Sequence, residues 1–482
     1  MSSTNSAQTS FASLGVPTRL IDPLFRQGIS TPFPIQTATL PDTLAGRDVL
    51  GRGRTGSGKT LAFALPLVAR LAGLVPSGAG IDTRSRPSMP RGLVLAPTRE
   101  LANQILATIE PLAESVGLGV MTVFGGVSQA GQVRRLRQRV DIVVATPGRL
   151  EDLIGQGHLK LDDVAVTVLD EADHMADLGF LPGVTRILAA TPSGGQRMLF
   201  SATLDAGVDK LVRRFLNRPL EHSVDTASSP VVAMTHHALL VADPGQKREV
   251  VRELAAGTGR RLLFTRTKHQ ARKLARELTA DGIPAVELHG NLSQNARERG
   301  LKAFADGRVR VMVATDIAAR GIHVDEVELV VHVDPPAEHK AYLHRSGRTA
   351  RAGHAGDVVT LVLPEQRKDF HALARAAKIT VTPTPVRAGD AVVVDLAGPV
   401  ADPVAPEDAP GAAARRGVAE PTQRPARRTD RRPAAKKGSS AQAAPRNRQA
   451  RSGSARPSRS SGQGAVAFSR QGRHRSGTRR AA

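Results

Sequence analysis

A short apolar run of strand length, closed by a small or polar motif and followed by a helical pattern, recurs along this chain of 482 residues. In the first half the runs are Val49-Leu50, Leu93 to Ala96, Ile142 to Ala145, Val164 to Leu169 and Met198 to Phe200; in the second they are Leu262 to Phe264, Ala285 to Leu288, Val311 to Ala314 and Leu329 to Val333. Runs that are continuously apolar rather than alternating suit strands buried on both faces. Interleaved with helices, they predict α/β architecture built on parallel sheets. Ligands of such sheets bind beyond the carboxyl ends of the strands, where the polar motifs stand.

Gly53-Arg54-Thr55-Gly56-Ser57-Gly58-Lys59-Thr60 follows one run and opens a helical pattern over Leu61 to Leu71. This is the context of a phosphate-binding loop: glycines let backbone N–H groups wrap a phosphate, Lys59 meets the β/γ-phosphates and the Thr60 hydroxyl takes Mg²⁺. Asp170 and Glu171 end another run, where two adjacent buried carboxylates call for a cation or hydrogen-bonding partners. Asp170 can hold Mg²⁺ through water and Glu171 can deprotonate an attacking water. In the second half Arg348 and Arg351 lie three apart and point the same way on a helical turn. Alone they would read as a solvated basic face; with a phosphate loop in the other half they suit charge neutralisation on a transferring phosphoryl group.

Composition bounds the class. The chain is long enough for two or three cores. It has no cysteine, which excludes disulfides and thiolate metal sites and fits a reducing cytoplasm. No apolar run reaches the ~18 residues of a membrane span, and the first ten residues lack a signal pattern, so a soluble, cytoplasmic, membrane-free protein is expected. Of the net charge of +23, the stretch Gly411 to Ala482 supplies +17, from nineteen Arg and Lys against two acids. Being rich in Pro, Ala, Arg, Ser and Gly, the sequence from 398 to 482 is expected to be a disordered, Arg-rich tail. Residues 1–10 are likewise expected to be disordered, with a surface loop over Leu74 to Arg91, one domain over 11–220, a linker at 221–233 and a second domain over 234–397.

Over roughly residues 9 to 385 the chain resembles the DEAD-box RNA helicases of superfamily 2. The motifs occur in order: Phe11 with Gly28 to Gln36, Gly53 to Thr60, Pro97 to Ala102, Gly125-Gly126, Thr146 to Arg149, Asp170-Glu171-Ala172-Asp173, Ser201-Ala202-Thr203, Phe264 to Thr267, His289-Gly290 with Gln294 and Arg297, Ala314 to Gly321, and His344 to Gly353. The resemblance implies two tandem RecA-like domains with parallel sheets and ATP as the nucleotide. Gln36 would read the adenine edge with support from Phe11 and Ile29, and Gly321 and His323 would lie at the nucleotide. Arg99, Gly126, Thr146, Arg149, Thr265, Gly290, Arg297 and Thr315 would contact the backbone of single-stranded or duplex RNA. Ser201 and Thr203 would couple nucleotide state to RNA grip.

The chain departs from the family pattern at Gly53, where Ala is usual, at Phe33, where Thr is common, and at Ser346, Ala350 and His323. The last position usually carries an Asp that bonds the ATP ribose; imidazole can still make one such bond, with different charge and reach. The implied activity is RNA-stimulated ATP hydrolysis with local unwinding. An ATP-gated RNA clamp and a DNA-directed helicase are the rival readings. Ribosomal precursors and the RNA-decay machinery are the partner classes left open.

Overall fold

The computed structural model describes residues 9–53, 56–75, 86–224, 234–319, 327–350 and 355–405. The first sheet contains β1 (Val49–Arg52), β2 (Gly92–Leu95), β3 (Val120–Val123), β4 (Ile142–Ala145), β5 (Val166–Leu169), β6 (Gln196–Ser201) and β7 (Leu220–Ser223), in the order β3-β4-β2-β5-β6-β1-β7. The second contains β8 (Met234–Leu240), β9 (Arg260–Phe264), β10 (Ala285–Leu288), β11 (Val311–Ala314), β12 (Val327–His332), β13 (Gly356–Val362) and β14 (Thr384–Pro385), ordered β10-β11-β9-β12-β13-β8-β14. Every pairing within the two sheets is parallel, as the continuously apolar runs predict.

The central strands of each sheet are buried on both faces, because successive side chains of a strand point to opposite sides. Val94, Val144, Val168 and Phe200 join one core; their neighbours Leu95, Ala145, Leu169 and Leu199 join the other. The second sheet divides in the same way, with Phe264, Met312 and Val330 on one side and Leu263, Val313 and Val331 on the other.

Strand order sorts the motifs. Carboxyl ends of the neighbours β5, β6 and β1 bring Asp170, Ser201 and Gly53 side by side, while β3, β4 and β2 lead into Gly126, Thr146 and Arg99. In the second sheet β10, β11 and β9 lead into Gly290, Thr315 and Thr265.

Two segment expectations meet a different outcome. Residues 221–223, read as linker, form most of β7 and pair with β1, while 225–233 lie outside the described residues. Residues 398–405, read as the start of the tail, stay hydrogen-bonded to the second lobe: Thr258 N donates to Pro399 O, Ala401 N to Ala256 O and Val404 N to Gly282 O, each at 2.9 Å. Backbone bonding to neighbouring turns holds this Pro-rich segment without periodicity of its own. The remaining tail, 406–482, lies outside the described residues, as do 1–8 and 76–85 of the expected N-terminal and loop segments.

Candidate active site

The helix Lys59–Leu71 begins directly on the phosphate-loop sequence. Gly56 and Gly58 both hold φ near +87°, a left-handed conformation that glycine adopts without the penalty of a Cβ. Lys59 is nearly buried and donates from Nζ to Gly53 O at 2.7 Å, curling its ammonium over the loop. The buried Ser57 Oγ has no partner, and a Cβ on residue 53 would lie 2.8 Å from it, so Gly53 keeps this hydroxyl uncrowded. Arg54 and Thr55 lie outside the described residues.

Gln36 is fully buried and spans two motifs. Its Oε1 accepts from Phe33 N and its Nε2 donates to Gly58 O, both at 2.9 Å, which assigns the two ends of the amide. Phe11, expected at the base, is 2% exposed and packs in the core, with Ile29 against the same cluster.

Asp170 is almost wholly buried at the end of β5. Desolvation, only partly offset by the Lys59 ammonium and reinforced by the Glu171 charge, pushes its carboxyl up to about 7. An acid held this way suits a cation. Glu171 takes φ 51 and ψ 52, a left-handed conformation that costs a non-glycine residue about 1–3 kcal/mol. Burial alone would raise its carboxyl, but the His174 hydrogen bond and the charges of His174, Arg348 and Lys59 outweigh it and draw it down to about 2. Asp170 therefore carries the proton-sensitive position and Glu171 stays ionised, two neighbours separated by environment.

Asp173 ties this motif to Ser201 and Thr203. Its Oδ2 accepts from Thr203 N and Oγ1, both at 2.9 Å, its N–H donates to Ser201 Oγ at 3.2 Å, and Ser201 Oγ donates to Thr203 O at 2.7 Å. From the second lobe, the helix His339–Ser346 ends just before Arg348, which is nearly buried. Lys59, Glu171, Asp173, His174, His344 and Arg348 line one small, partly open pocket, so both halves of the sequence contribute to it. Arg351, Gly321 and His323 lie outside the described residues.

The expected RNA contacts sort less uniformly. The Arg99 guanidinium lies against Gly126, whose φ is +75°, and donates to Gln294 Oε1 of the other lobe at 3.2 Å. Thr146 precedes the helix Pro147–Gly155, and Arg149 reaches Val127 O at 3.4 Å. Thr265 Oγ1 donates to Thr267 O at 3.3 Å, Thr315 N to Leu288 O at 3.2 Å, and Gly290 stands in open space. Arg297 is turned to protein, with Nε 2.8 Å from Glu100 Oε1 on the first lobe. A second bridge between the lobes joins Lys340 Nζ to Asp205 Oδ2 at 3.2 Å.

Sequence reasoning placed Glu100 in the motif Pro97 to Ala102 without giving it a role, and passed over Lys340, Asp205 and His174. Lys340 and Asp205 carry no local signal, since each has its partner in the other half of the chain. His174 had one: it stands three residues after Glu171, the spacing at which side chains meet on a helix.

Residues 33–211 match the family model described as DEAD/DEAH box helicase, and 246–353 match the helicase conserved C-terminal domain. The chain is 42% identical over 374 residues to the chloroplastic DEAD-box ATP-dependent RNA helicase 3B of Zea mays, covering 76% of this chain and 49% of that protein. It is 37% identical over 376 residues to the ATP-dependent RNA helicase DeaD of Klebsiella pneumoniae, covering 78% and 57%. It thus spans about half the length of these relatives. Among solved structures, S. cerevisiae Dbp5 bound to RNA and ADP BeF3 superposes with a TM-score of 0.68 at 26% identity, over 81% of this chain and 100% of that one.

Proposed function

We propose, on the premise that the chain belongs to the DEAD-box helicase family, that it is an ATP-dependent RNA helicase which separates short duplexes locally. The observation that carries this reading is the shared pocket, where Lys59 and Glu171 of the first lobe meet Arg348 of the second. Neither lobe alone holds the full set.

In the proposed reaction Lys59 and the N–H groups of Gly56 to Thr60 hold the phosphates of ATP, with Arg54 and Thr55 completing the loop. The unpartnered Ser57 Oγ and the high-pKa Asp170 are compatible with a bound phosphate and cation. Thr60 and Asp170 would hold Mg²⁺, which supplies charge neutralisation at the phosphate oxygens when bound. Glu171 takes a proton from water as the water oxygen bonds to the γ-phosphorus. The bond from that phosphorus to the β–γ bridging oxygen breaks, and its electron pair leaves with ADP. Arg348 and Arg351 neutralise charge on the transferring group. Gln36 reads adenine, with Phe11 shaping the wall behind it and Ile29 beside it, and Gly321 and His323 are proposed as nucleotide contacts.

Arg99, Gly126, Thr146, Arg149, Thr265, Gly290 and Thr315 are proposed to hold the RNA backbone. Both expected RNA edges lie at strand carboxyl ends, and a strand bent between them would no longer fit a duplex. Arg297 is reassigned from RNA to the contact between lobes, on its bond to Glu100. The Asp173–Ser201–Thr203 bonds would carry nucleotide state to RNA grip. RNA binding that completes a catalytic site makes hydrolysis RNA-dependent. The absence of cysteine suits a reducing compartment, and the cytoplasm is proposed.

Unwinding of a short RNA duplex by substoichiometric protein tests the proposal. Repeated strand release that needs ATP hydrolysis is expected. ATP-dependent retention of RNA without strand release would assign the clamp instead, and equal activity on DNA duplexes would overturn RNA as the substrate.

A further inference from the structure

Glu171 enters the helix Ala172–Asp177 from a left-handed backbone conformation, and His174, one turn on, closes back onto its side chain. Imidazole Nδ1 lies 3.0 Å from Glu171 Oε2, with the two side chains 4% and 13% exposed. An ionised carboxylate only accepts hydrogen bonds, so the ring carries its proton on Nδ1. Nε2 is buried and has no hydrogen-bond partner among the described residues. A histidine retained only to fill a core would have both nitrogens satisfied or lie among apolar groups. This one lines the same small pocket as Lys59, Glu171, Asp173, His344 and Arg348.

Glu has three flexible side-chain torsions, and its left-handed backbone fixes only where they start. A bond to Oε2 restricts that freedom. We propose that His174 is the positioning residue of the hydrolytic site: its Nδ1–H pins Glu171 Oε2 so that Oε1 is held for the attacking water. This role rests on the ATPase reading above. It adds a residue beyond the four that spell the motif. Loss of such a constraint misplaces a general base, and displacement by about 1 Å can cost on the order of 10²-fold in rate.

The test compares RNA-stimulated ATP hydrolysis by the unaltered full chain with His174→Leu, His174→Asn and His174→Gln. The Asn amide nitrogen falls where Nδ1 stands, whereas Gln carries its amide out toward Nε2. His174→Leu is expected to lower kcat by on the order of tenfold or more, with KM for ATP changed less than about twofold and RNA binding in a non-hydrolysable ATP analogue retained. His174→Asn is expected to recover most of the loss and His174→Gln to recover little. Unchanged kcat in His174→Leu would overturn the assignment. So would equal losses in the Asn and Gln variants, or loss of analogue-dependent RNA binding, which would make His174 a packing residue. Absence of RNA-stimulated hydrolysis in the unaltered chain would instead contradict the ATPase reading on which the role depends.

Discussion

Arg297 and Glu100 form an ion pair between the two lobes, Nε to Oε1 at 2.8 Å, with side chains 12% and 7% exposed. Glu100 sits in the first turn of the helix Arg99–Glu114, where the helix dipole favours an acid. Removing one partner leaves the other charge desolvated, which costs more than the pair is worth. Arg297→Gln and Glu100→Gln are each expected to weaken analogue-dependent RNA binding by at least about tenfold, because each unpairs a charge on closure. In the double variant the losses should fall short of their sum by about 1–3 kcal/mol. Equilibrium binding across the four proteins measures this coupling, and strict additivity would remove the pair from the closure step.

His332 is fully buried on β12, its Nδ1 3.1 Å from Thr360 Oγ1 and its ring edge-on to Tyr342. Burial, then the charges of Arg345 and His236, hold this imidazole well below its usual range. The folded chain therefore keeps it neutral at pH values where the unfolded chain binds a proton. Its contribution is fully present above the unfolded value of ~6.5 and is lost as pH falls toward the folded one. Urea unfolding across about pH 5 to 7.5 should show stability falling on the acid side by up to about 1.4 kcal/mol per pH unit from this group. His332→Asn is expected to reduce that slope by up to one proton. His236, also lowered by burial and then by the His237 charge, keeps part of it. An unchanged slope in His332→Asn would contradict the assignment.

The basic tail tests separately from the two lobes. Arg261 Nη2 donates to Ala397 O, and the backbone bonds continue to Val404, so a cut before 405 would strip contacts from the second lobe. Truncation after Ala405 removes the +17 of Gly411 to Ala482 and retains every residue proposed for the site. Turnover at saturating RNA should hold, while the RNA concentration for half-maximal hydrolysis should rise. With five tail contacts to single-stranded RNA, the slope of log affinity against log salt should flatten by roughly 3.5. Unchanged affinity and salt dependence would leave the tail without an RNA-binding role.

The parallel sheets were legible because strands such as Ile142–Ala145 and Val311–Ala314 are buried on both faces and therefore unbroken in their apolarity. The strands β7 and β8 were not. Their residues Leu220-Glu221-His222-Ser223 and Met234-Thr235-His236-His237 mix polar side chains toward the outer part of the sheets, so composition alone resembles a connector. Position of the phosphate loop and the acidic motif follows from strand ends, which sequence spacing can locate. The Arg297–Glu100 and Lys340–Asp205 pairs depend on how two lobes meet, which no local pattern encodes. The sequence cannot distinguish the two roles of Arg297, because a motif arginine looks the same whether its partner is a phosphate or a buried carboxylate.

The central claim is that one hydrolytic site is assembled from both lobes, and Arg348 tests it most directly because it comes from the second lobe to a pocket bounded by Lys59 and Glu171. The measurement is steady-state ATP hydrolysis at saturating ATP and RNA for Arg348→Ala against the unaltered chain. Turnover is expected to fall by on the order of 10³, with nucleotide still bound by the first lobe. Turnover within about twofold of the unaltered chain would contradict a two-lobe site, because a transition-state arginine cannot be removed at so small a cost.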